Sequence, residues 1–293
     1  MDAWDEIRTA FHVARMGTVS GAAEVLGVHH ATVIRHIDAL ENRLGTKLFQ
    51  RHARGYTATE AGQDLLQVAQ ATDDQFTQLV SRLKGRGESV TGELVVTSLA
   101  SLSPLLAPVI AGFQMAHPDV IARYLTDDRV FRLEYGEAHV AIRAGSAPDQ
   151  PDNVVQKFAR QKVAMYASNE YLDRHGMPEN DDFSGHCFVG HDKEKSRAPF
   201  YRWLTETVPR EQVVFRATDS LSSQHAVMRG AGLGFLTCWE ARQHPELVQV
   251  LPPRDEWSAQ IWLVTHVDLH RTVKVQTLLS HLKEAAKTWQ DME

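Results

Sequence analysis

This sequence contains little of what secreted, membrane-spanning or metal-stabilised proteins need. It has two cysteines, Cys187 and Cys238, without CxxC spacing or clustered histidines nearby, so we expect neither a structural zinc site nor a disulfide framework. No apolar run approaches the roughly 18 residues of a membrane-spanning helix. The first residues lack the basic region and apolar stretch of a secretory signal. We therefore expect a cytoplasmic protein that uses no membrane, metal or cofactor.

Catalytic motifs are missing as well. The chain contains no GxSxG, no Walker loop, no GxGxxG after a strand and no HExxH, and its 15 histidines are scattered. We therefore predict no catalytic residues and no enzyme. A solute-binding or scaffold protein is the other alternative, and the missing secretory signal argues against it.

The charge distribution indicates a small DNA-contacting module on a larger acidic protein. At 293 residues the chain is long enough for two or more domains, and its net charge is -6. Residues 1–58 nevertheless carry seven Lys and Arg against six Asp and Glu. Residues 35–54 hold five bases against two acids, and a local basic stretch of this kind is typical of a surface that meets phosphates.

Apolar residues at helical spacing predict three helices at the N-terminus. They span residues 3–16, 20–26 and 29–43, and glycines separate them. The third helix has a predicted buried stripe of Val33, Ile37, Leu40 and Leu44. Two short helices joined by a tight turn that contains glycine are typical of a helix-turn-helix motif, whose second helix lies in the major groove.

A β-hairpin is predicted to follow as a wing. Its strands are 47–50 and 56–58, and the turn 53–55 would carry Arg51 and Arg54 at the tip, where they would contact phosphates. Polar side chains on the second and third helices complete the predicted interface. The predicted DNA-binding residues are Ser20, His29, His30, Thr32, Arg35, His36, Arg51 and Arg54.

A longer helix is predicted from Thr59, its N-cap. Apolar and small residues recur along it in steps of four and three: Leu65, Ala69, Thr72, Phe76, Leu79 and Leu83. This repeat favours pairing with a second copy of the chain, and packing on its own chain is the alternative. Residues 84–87 then read as a flexible hinge.

From Gly92 onward, short apolar strands alternate with helices. The alternation predicts a parallel sheet with helices on both faces. Ser103-Pro104 opens one helix, with Ser103 interpreted as its cap, and another is predicted near residues 130–135. The predicted strands are 94–97, 120–125, 139–143, 163–167, 213–217, 234–237 and 261–265.

The first 62 residues carry an ungapped series of motifs. They are Phe11-x-x-Ala14-x-x-Gly17-Thr18-Val19-Ser20-x-Ala22-Ala23-x-x-Leu26, Val33-x-x-x-Ile37-x-x-Leu40-Glu41-x-x-Leu44-Gly45, Leu48-Phe49-x-Arg51 and Thr57-x-Thr59-x-Ala61-Gly62. This order resembles the DNA-binding domain of the LysR family of bacterial transcriptional regulators. A weaker similarity continues through His117-Pro118, Gly136-Glu137, Ala141-Ile142-Arg143, Tyr171-Leu172 and Gly232-Leu233-Gly234.

The resemblance implies an α/β protein with an N-terminal all-α winged helix-turn-helix and a two-lobed, periplasmic-binding-protein-like effector domain. The implied domains are 1–58, a linker and dimerisation helix with hinge at 59–87, and 88–293. Lobe one would comprise 92–162 and 266–293, and lobe two 163–265. The implied function is sequence-specific regulation of transcription. The implied partners are promoter DNA, a polar or anionic effector between the lobes, and further copies of the chain as a homodimer or dimer of dimers, with RNA polymerase as a further candidate.

Effector contacts are expected where strands end and helices begin, because ligands collect there in such folds. For each hydroxyl, a local capping bond is the alternative role. A contact of Asp219 with Arg143 across the cleft would latch the two lobes together. The predicted effector-binding residues are Ser98, Ala100, Ser101, Thr126, Arg143, Thr218 and Asp219.

Two departures from the family pattern concern DNA recognition. Where the family usually has Ser-Gln-Pro, this chain has His29-His30-Ala31, and Ile34 replaces a common serine. Histidine and isoleucine contact different base edges from those that serine and glutamine contact. We therefore expect the base contacts at these positions to differ from those usual in the family.

Overall fold

The N-terminal part of the computed structural model is helical, with a two-stranded wing. The structure describes residues 3–52, 55–83, 90–127, 129–179, 182–192, 196 and 198–290. Thr18 begins the second helix, because its hydroxyl accepts from the N–H of Gly21. The elements of this part are α1 (Trp4–Met16), α2 (Val19–Leu26), α3 (His30–Leu44), β1 (Phe49–His52), β2 (Gly55–Ala58) and α4 (Glu60–Leu83). They confirm the predicted winged helix-turn-helix.

The predicted apolar stripe of α3 is buried except at its last residue. Val33 and Ile37 are 0 % exposed, and they pack with α1 and α2. Leu44 is 53 % exposed, so its place in the stripe is wrong. The physical reason is that α3 ends there and Gly45, with φ 68°, turns the chain away. Glu41 lies four residues after Ile37 and is buried instead.

The wing begins two residues later than predicted. Its first strand starts at Phe49, which pairs with Ala58. Thr59 caps α4 as predicted, because its hydroxyl accepts from the N–H of Gly62 at 3.2 Å. Gly62 also packs directly on the wing, where a Cβ would lie 2.1 Å from the carbonyl oxygen of Leu48. A glycine at this position therefore allows α4 to start against the hairpin.

Helix α4 packs on its own chain at its start and exposes apolar side chains further along. Leu65 packs against the core of the winged domain, whereas Val68 and Phe76 are 63 % and 54 % exposed. The ring of Phe76 meets that of Trp4 edge-on, with the centroids 6.1 Å apart. The start of the repeat therefore packs on its own chain, whereas pairing with a second copy stays a prediction. The predicted hinge at 84–87 and the side chains of Leu79 and Leu83 lie outside the described residues.

The rest of the chain is an α/β domain with two lobes. Single 3₁₀ turns lie at Ala100–Leu102 and Leu133–Tyr135, among others. Its helices and strands, in chain order, are β3 (Gly92–Ser98), α5 (Ser103–Ala116), β4 (Val120–Thr126), β5 (Val140–Ala144), β6 (Asn153–Gln161), β7 (Val163–Ser168), α6 (Asn169–His175), β8 (Phe188–His191), α7 (Pro199–Thr207), β9 (Val213–Ala217), α8 (Ser220–Met228), β10 (Gly234–Thr237), α9 (Cys238–Ala241), β11 (Leu247–Leu251), β12 (Ala259–His266), α10 (Val267–His270) and α11 (Val273–Gln290).

Lobe one is built on a five-stranded sheet in the order β4-β3-β5-β12-β6. β3 runs parallel to β4 and β5, whereas β12 is antiparallel to β5 and β6. The prediction of a wholly parallel sheet is therefore wrong, because β12 returns from lobe two in the opposite direction. Apolar side chains of α5 and α11 cover this sheet and form the core of the lobe.

Lobe two is built around β7, which is antiparallel to both β10 and β11. The parallel pair β8 and β9 joins these strands through a bridge between Phe188 and Leu233. Since β12 (Ala259–His266) belongs to the sheet of lobe one, lobe two ends before residue 259 and not at 265. The chain therefore crosses between the lobes at residues 161–163 and again after β11.

Two local predictions in lobe one are also corrected. The helix expected near residues 130–135 is a single 3₁₀ turn, Leu133–Tyr135. Ser103 is the first residue of α5 and not its cap, which is Leu102.

No helix within the described ranges is long and apolar enough to cross a membrane.

Candidate functional site

Helix α3 presents its N-terminal end to solvent. The ring of His29 caps the helix, because its Nδ1 accepts from the backbone N–H of Ala31 at 3.3 Å. This nitrogen is therefore engaged within the chain. His30 is exposed beside it, and the two ring centroids are 5.9 Å apart. Ser20 is exposed on α2, so all three predicted DNA contacts reach the surface.

Arg35 is a predicted DNA contact that the fold leaves available. Its side chain is exposed on α3, and it forms no hydrogen bond or ion pair within the part of the chain that the structure describes. Thr32 lies three residues earlier and is half-buried. A guanidinium presents paired donors that fit a guanine edge or a phosphate. This arrangement therefore suits a direct contact with DNA.

His36 is held inside the winged domain by α1. The hydroxyl of Thr9 lies 2.9 Å from its Nδ1 and donates to the carbonyl of Asp5 at 2.6 Å. Because that hydroxyl gives its proton to Asp5, the Nδ1 of His36 must be the donor to Thr9. The ring therefore holds α3 against α1. A contact between His36 and DNA would use the other ring nitrogen, Nε2.

Glu41 joins α3 to the wing. One carboxylate oxygen accepts from the backbone N–H groups of Leu48 and Phe49, at 3.0 and 3.2 Å. The other accepts from the ammonium of Lys47 at 2.7 Å. Burial by itself raises the pKa of Glu41, but these three hydrogen bonds outweigh it, so the pKa lies below its ordinary value. The buried charge therefore sets the position of the wing on the recognition helix.

Arg51 lies in β1 and not at the tip of the wing, which corrects its predicted place. Its guanidinium pairs with Asp38 of α3 and lies over the ring of Tyr56, 5.3 Å from the centroid. The hydrogen bond to Asp38 raises the pKa of Arg51. Part of its charge is therefore neutralised within the domain. Arg54, predicted at the tip, lies outside the described residues.

The predicted effector residues of lobe one meet at one edge of its sheet. Ser98 ends β3 and is in register with Thr126, the end of β4, and with Ile142 of β5. Arg143 follows directly after Ile142. Because the three strands are parallel, their carboxyl ends bring these residues to the same edge. Thr126 is exposed there, whereas Ser98 is buried.

The hydroxyl of Ser98 already has internal partners. It donates to the carbonyl of Leu99 at 2.8 Å, so the Tyr124 hydroxyl, 2.6 Å away, must donate to it. Ser98 therefore offers an effector no free proton in this arrangement. The prediction that it donates to the ligand requires its bond to Leu99 to break first.

Arg143 lies in β5, and its side chain is half-buried. It donates to the carbonyl of Phe131 at 2.8 Å and to the side chain of Gln150 at 3.4 Å. Burial lowers the pKa of Arg143, and nearby Glu134 only partly counters this. No carboxylate of the described ranges forms an ion pair with it. An anionic ligand could therefore supply the missing negative charge.

The side chain of Asp219 is engaged within lobe two. Its carboxylate caps α8 by accepting from the N–H of Ser222 at 2.8 Å, and hydrogen bonds from Ser222 lower the pKa of Asp219. Within the described ranges it does not contact Arg143. The predicted latch is therefore wrong for this structure, because each partner is engaged in its own lobe. Thr218 is exposed beside Asp219.

The turn Ala100–Leu102 is where lobe one approaches lobe two. Helix α8 of lobe two lies near this turn. Ser101 also lines a small open cleft, together with residues 159–162 of the crossover and Thr237–Glu240 of lobe two. Ala100 and Ser101 are therefore placed at the junction of the lobes, where the sequence predicts effector binding.

Contacts that the sequence did not indicate join the winged domain to the lobes. Gln67 of α4 lies 2.9 Å from Nε2 of His266, the last residue of β12. Arg15 of α1 forms an ion pair of 2.9 Å with Glu93 of β3. These partners are far apart in the sequence, and no local pattern marks them. Glu41 was also missed, although its spacing from Ile37 places it in line with the buried stripe.

Two family descriptions match consecutive parts of this chain. Residues 4–63 match "Bacterial regulatory helix-turn-helix protein, lysR family". Residues 87–287 match "LysR substrate binding domain". Together they cover both the winged part and the two lobes.

Individual relatives extend over nearly the whole chain. The HTH-type transcriptional regulator DmlR of Escherichia coli K12 is 26 % identical over 292 residues, covering 96 % of this chain and 93 % of its own. The HTH-type transcriptional activator TtdR of the same strain is 26 % identical over 290 residues, covering 94 % and 91 %. The solved full-length regulator LysG of Corynebacterium glutamicum, with bound effector Arg, shares the fold at a TM-score of 0.71, with 17 % identity and coverage of 98 % and 99 %.

Proposed function

Because this chain belongs to the LysR family of bacterial helix-turn-helix regulators, we propose that α3 enters the major groove of promoter DNA while a polar or anionic effector binds between the lobes. The chain is a transcriptional regulator with a substrate-binding domain for small molecules, and it is not an enzyme. The observation that supports this position of α3 on DNA is that Arg35 is exposed, whereas the opposite face of the helix is buried.

The domain division 1–58, 59–87 and 88–293 is part of this proposal. The family matches at 4–63 and 87–287 support it, since α4 spans most of the residues between them. We further propose that the regulator works in the cytoplasm, where the bacterial chromosome is, and that RNA polymerase is its partner at the promoter.

Arg35→Ala is expected to weaken operator binding by about 1–3 kcal/mol if Arg35 contacts a base edge, because a bidentate contact is lost. An operator is first selected from random duplexes with the full-length protein, and affinities are then measured at several salt concentrations. A base contact makes the loss depend on one operator position. A phosphate contact instead weakens all sequences alike and lowers the salt slope by about one.

Arg202→Ala is the matched control for Arg35→Ala, because Arg202 is an exposed arginine on α7 of lobe two. Its operator affinity should equal that of the wild type. If Arg35→Ala also binds every sequence like the wild type, α3 does not enter the groove through this residue.

The effector proposal is supported by the meeting of Thr126 and Arg143 at one sheet edge, with the turn 100–102 facing lobe two. A panel of small carboxylates, amino acids and neutral analogues is screened by thermal shift. A ligand at a hundred times its Kd stabilises the protein by about 2.7 kcal/mol. Arg143→Ala should abolish this shift for anions, and Thr126→Val should reduce it.

Both effector variants should bind the operator normally without ligand, because neither residue lies in the winged domain. Arg229→Ala, which removes an exposed arginine of lobe two, is the matched control and should keep the full shift. An undiminished response to anions in Arg143→Ala would place the effector elsewhere in the protein.

We also propose that the regulator works as a homodimer or a dimer of dimers. Trp4 of α1 and Phe76 of α4, whose rings meet edge-on, form an exposed apolar surface, here called the α4 surface, and Val68 is a further exposed apolar residue of α4. Single exposed apolar residues are ordinary, but two large rings that meet on neighbouring helices, with a third exposed apolar side chain on the same helix, support an interface.

A further inference from the structure

An exposed apolar side chain stands on the recognition helix where polar ones would be expected. Ile34 is 38 % exposed on α3, and Ala31, one turn earlier, is also exposed. Neither side chain can donate or accept a hydrogen bond. A lone exposed isoleucine needs no explanation elsewhere on a surface, so its position on the helix must carry the argument.

The spacing along α3 fixes the side of the helix on which Ile34 lies. It precedes Asp38 by four residues and Glu41 by seven, so the three share one face. Asp38 and Glu41 bind Arg51 of the wing. Ile34 therefore lies on the wing side of α3, about one turn nearer its N-terminal end than Asp38. In helix-turn-helix proteins, that end of the recognition helix contacts the base edges.

The neighbour of Ile34 supplies the polar contact that this surface also needs. Arg35 follows it directly, is exposed, and has no partner within the described ranges. A guanidinium and a branched apolar group thus stand on consecutive residues of α3, about 100° apart around the helix axis. The apolar group that base pairs present in the major groove is the C5-methyl group of thymine. Ile34 matches that methyl group as Arg35 matches a guanine edge or a phosphate.

We propose that Ile34, with Ala31 beside it, reads a thymine in each half of the operator through its C5-methyl group. This inference rests on the proposed entry of α3 into the major groove. The expected effect is modest, because one methyl group is buried per contact. Its removal should weaken binding about fourfold, which is about 0.8 kcal/mol. Removal from both halves of a dimer's operator should weaken binding about fifteenfold, since distant sites add.

The test replaces each thymine of the selected operator, one at a time, by deoxyuracil. This change removes the methyl group and leaves every hydrogen-bonding atom in place. The wild type should lose about fourfold affinity at one thymine in each half. Ile34→Ser should bind the thymine operator more weakly and should no longer distinguish thymine from deoxyuracil at that position. Ile34→Ala provides the same comparison if the serine variant folds poorly.

Leu44→Ser is the matched control, because Leu44 is 53 % exposed at the opposite end of the same helix. It should keep the full sensitivity to deoxyuracil. The proposal is overturned if no thymine methyl matters to the wild type, or if the Ile34 variants keep the wild-type sensitivity at every position. Failure of the wild type to select any operator would instead overturn the proposed function itself.

Discussion

Phe76→Asp is expected to convert the regulator into smaller species and to abolish tight operator binding. Phe76 is 54 % exposed and meets Trp4 on the α4 surface, so the substitution places a charge in the proposed seam between two copies. Burying an unpaired charge is costly. Loss of the second half-site removes about 10²–10⁴-fold of operator affinity, because the two winged domains no longer bind as one unit.

Light scattering at low micromolar concentration measures the size of the assembly, and a gel shift measures the affinity for the operator. Phe76→Leu keeps an apolar side chain and should remain assembled. Met177→Asp adds the same charge at an apolar position of lobe two that is 47 % exposed, and it should also remain assembled. If the Phe76→Asp variant remains dimeric, the α4 surface is not the interface between the copies.

Glu41→Ala is expected to detach the wing from α3. The variant leaves the buried N–H groups of Leu48 and Phe49 without their acceptor. Each unsatisfied buried donor costs about 1–3 kcal/mol, so the winged domain should lose roughly 2–6 kcal/mol of its free energy of unfolding. Such a loss is large beside the total stability of a typical domain.

Hydrogen exchange measured by mass spectrometry tests this directly. Segments that contain Leu48 and Phe49 should exchange much faster in Glu41→Ala, while segments of the two lobes should be unchanged. Glu41→Gln keeps an acceptor oxygen without the charge and should lose less protection. Equal protection of the wing in the wild type and Glu41→Ala would show that other contacts hold it.

The pH dependence of the wing follows from the same carboxylate. The pKa of Glu41 is lowered from 4.5, its ordinary value, because hydrogen bonds from Lys47 and two backbone N–H groups outweigh the effect of burial. A lowered folded pKa means that the stabilisation is present above the unfolded pKa and is lost as the pH falls through the folded one. The difference in wing protection between the wild type and Glu41→Gln should therefore shrink below pH 4.5.

The family and the order of the elements in the winged part could be predicted from the sequence. Helical spacing located α1 to α3, and the glycines after α1 and α2 located their ends, because helix periodicity and capping are local properties. The predicted residues Ser98, Thr126 and Arg143 were brought together because they lie at the carboxyl ends of parallel neighbouring strands.

Only the tertiary structure decided which atoms these residues have left for a partner. His36 donates to Thr9, Ser98 donates to Leu99, and Asp219 caps its own helix. Such engagements depend on where a side chain points within the fold, and a residue pattern does not encode that direction. The structure also assigned β12 to lobe one, since strand pairing joins residues more than a hundred positions apart.

The sequence by itself determined the type of protein: a winged helix-turn-helix followed by a two-lobed effector domain. Periodicity and caps, which act over a few residues, predict the winged helix-turn-helix, and the resemblance of the motifs to the LysR family implies the two lobes. The tertiary structure decided that Glu41 anchors the wing and that Arg35 and Ile34 are exposed on α3. Burial and hydrogen bonding between distant segments settle such roles, because they depend on which surfaces the folded chain brings together.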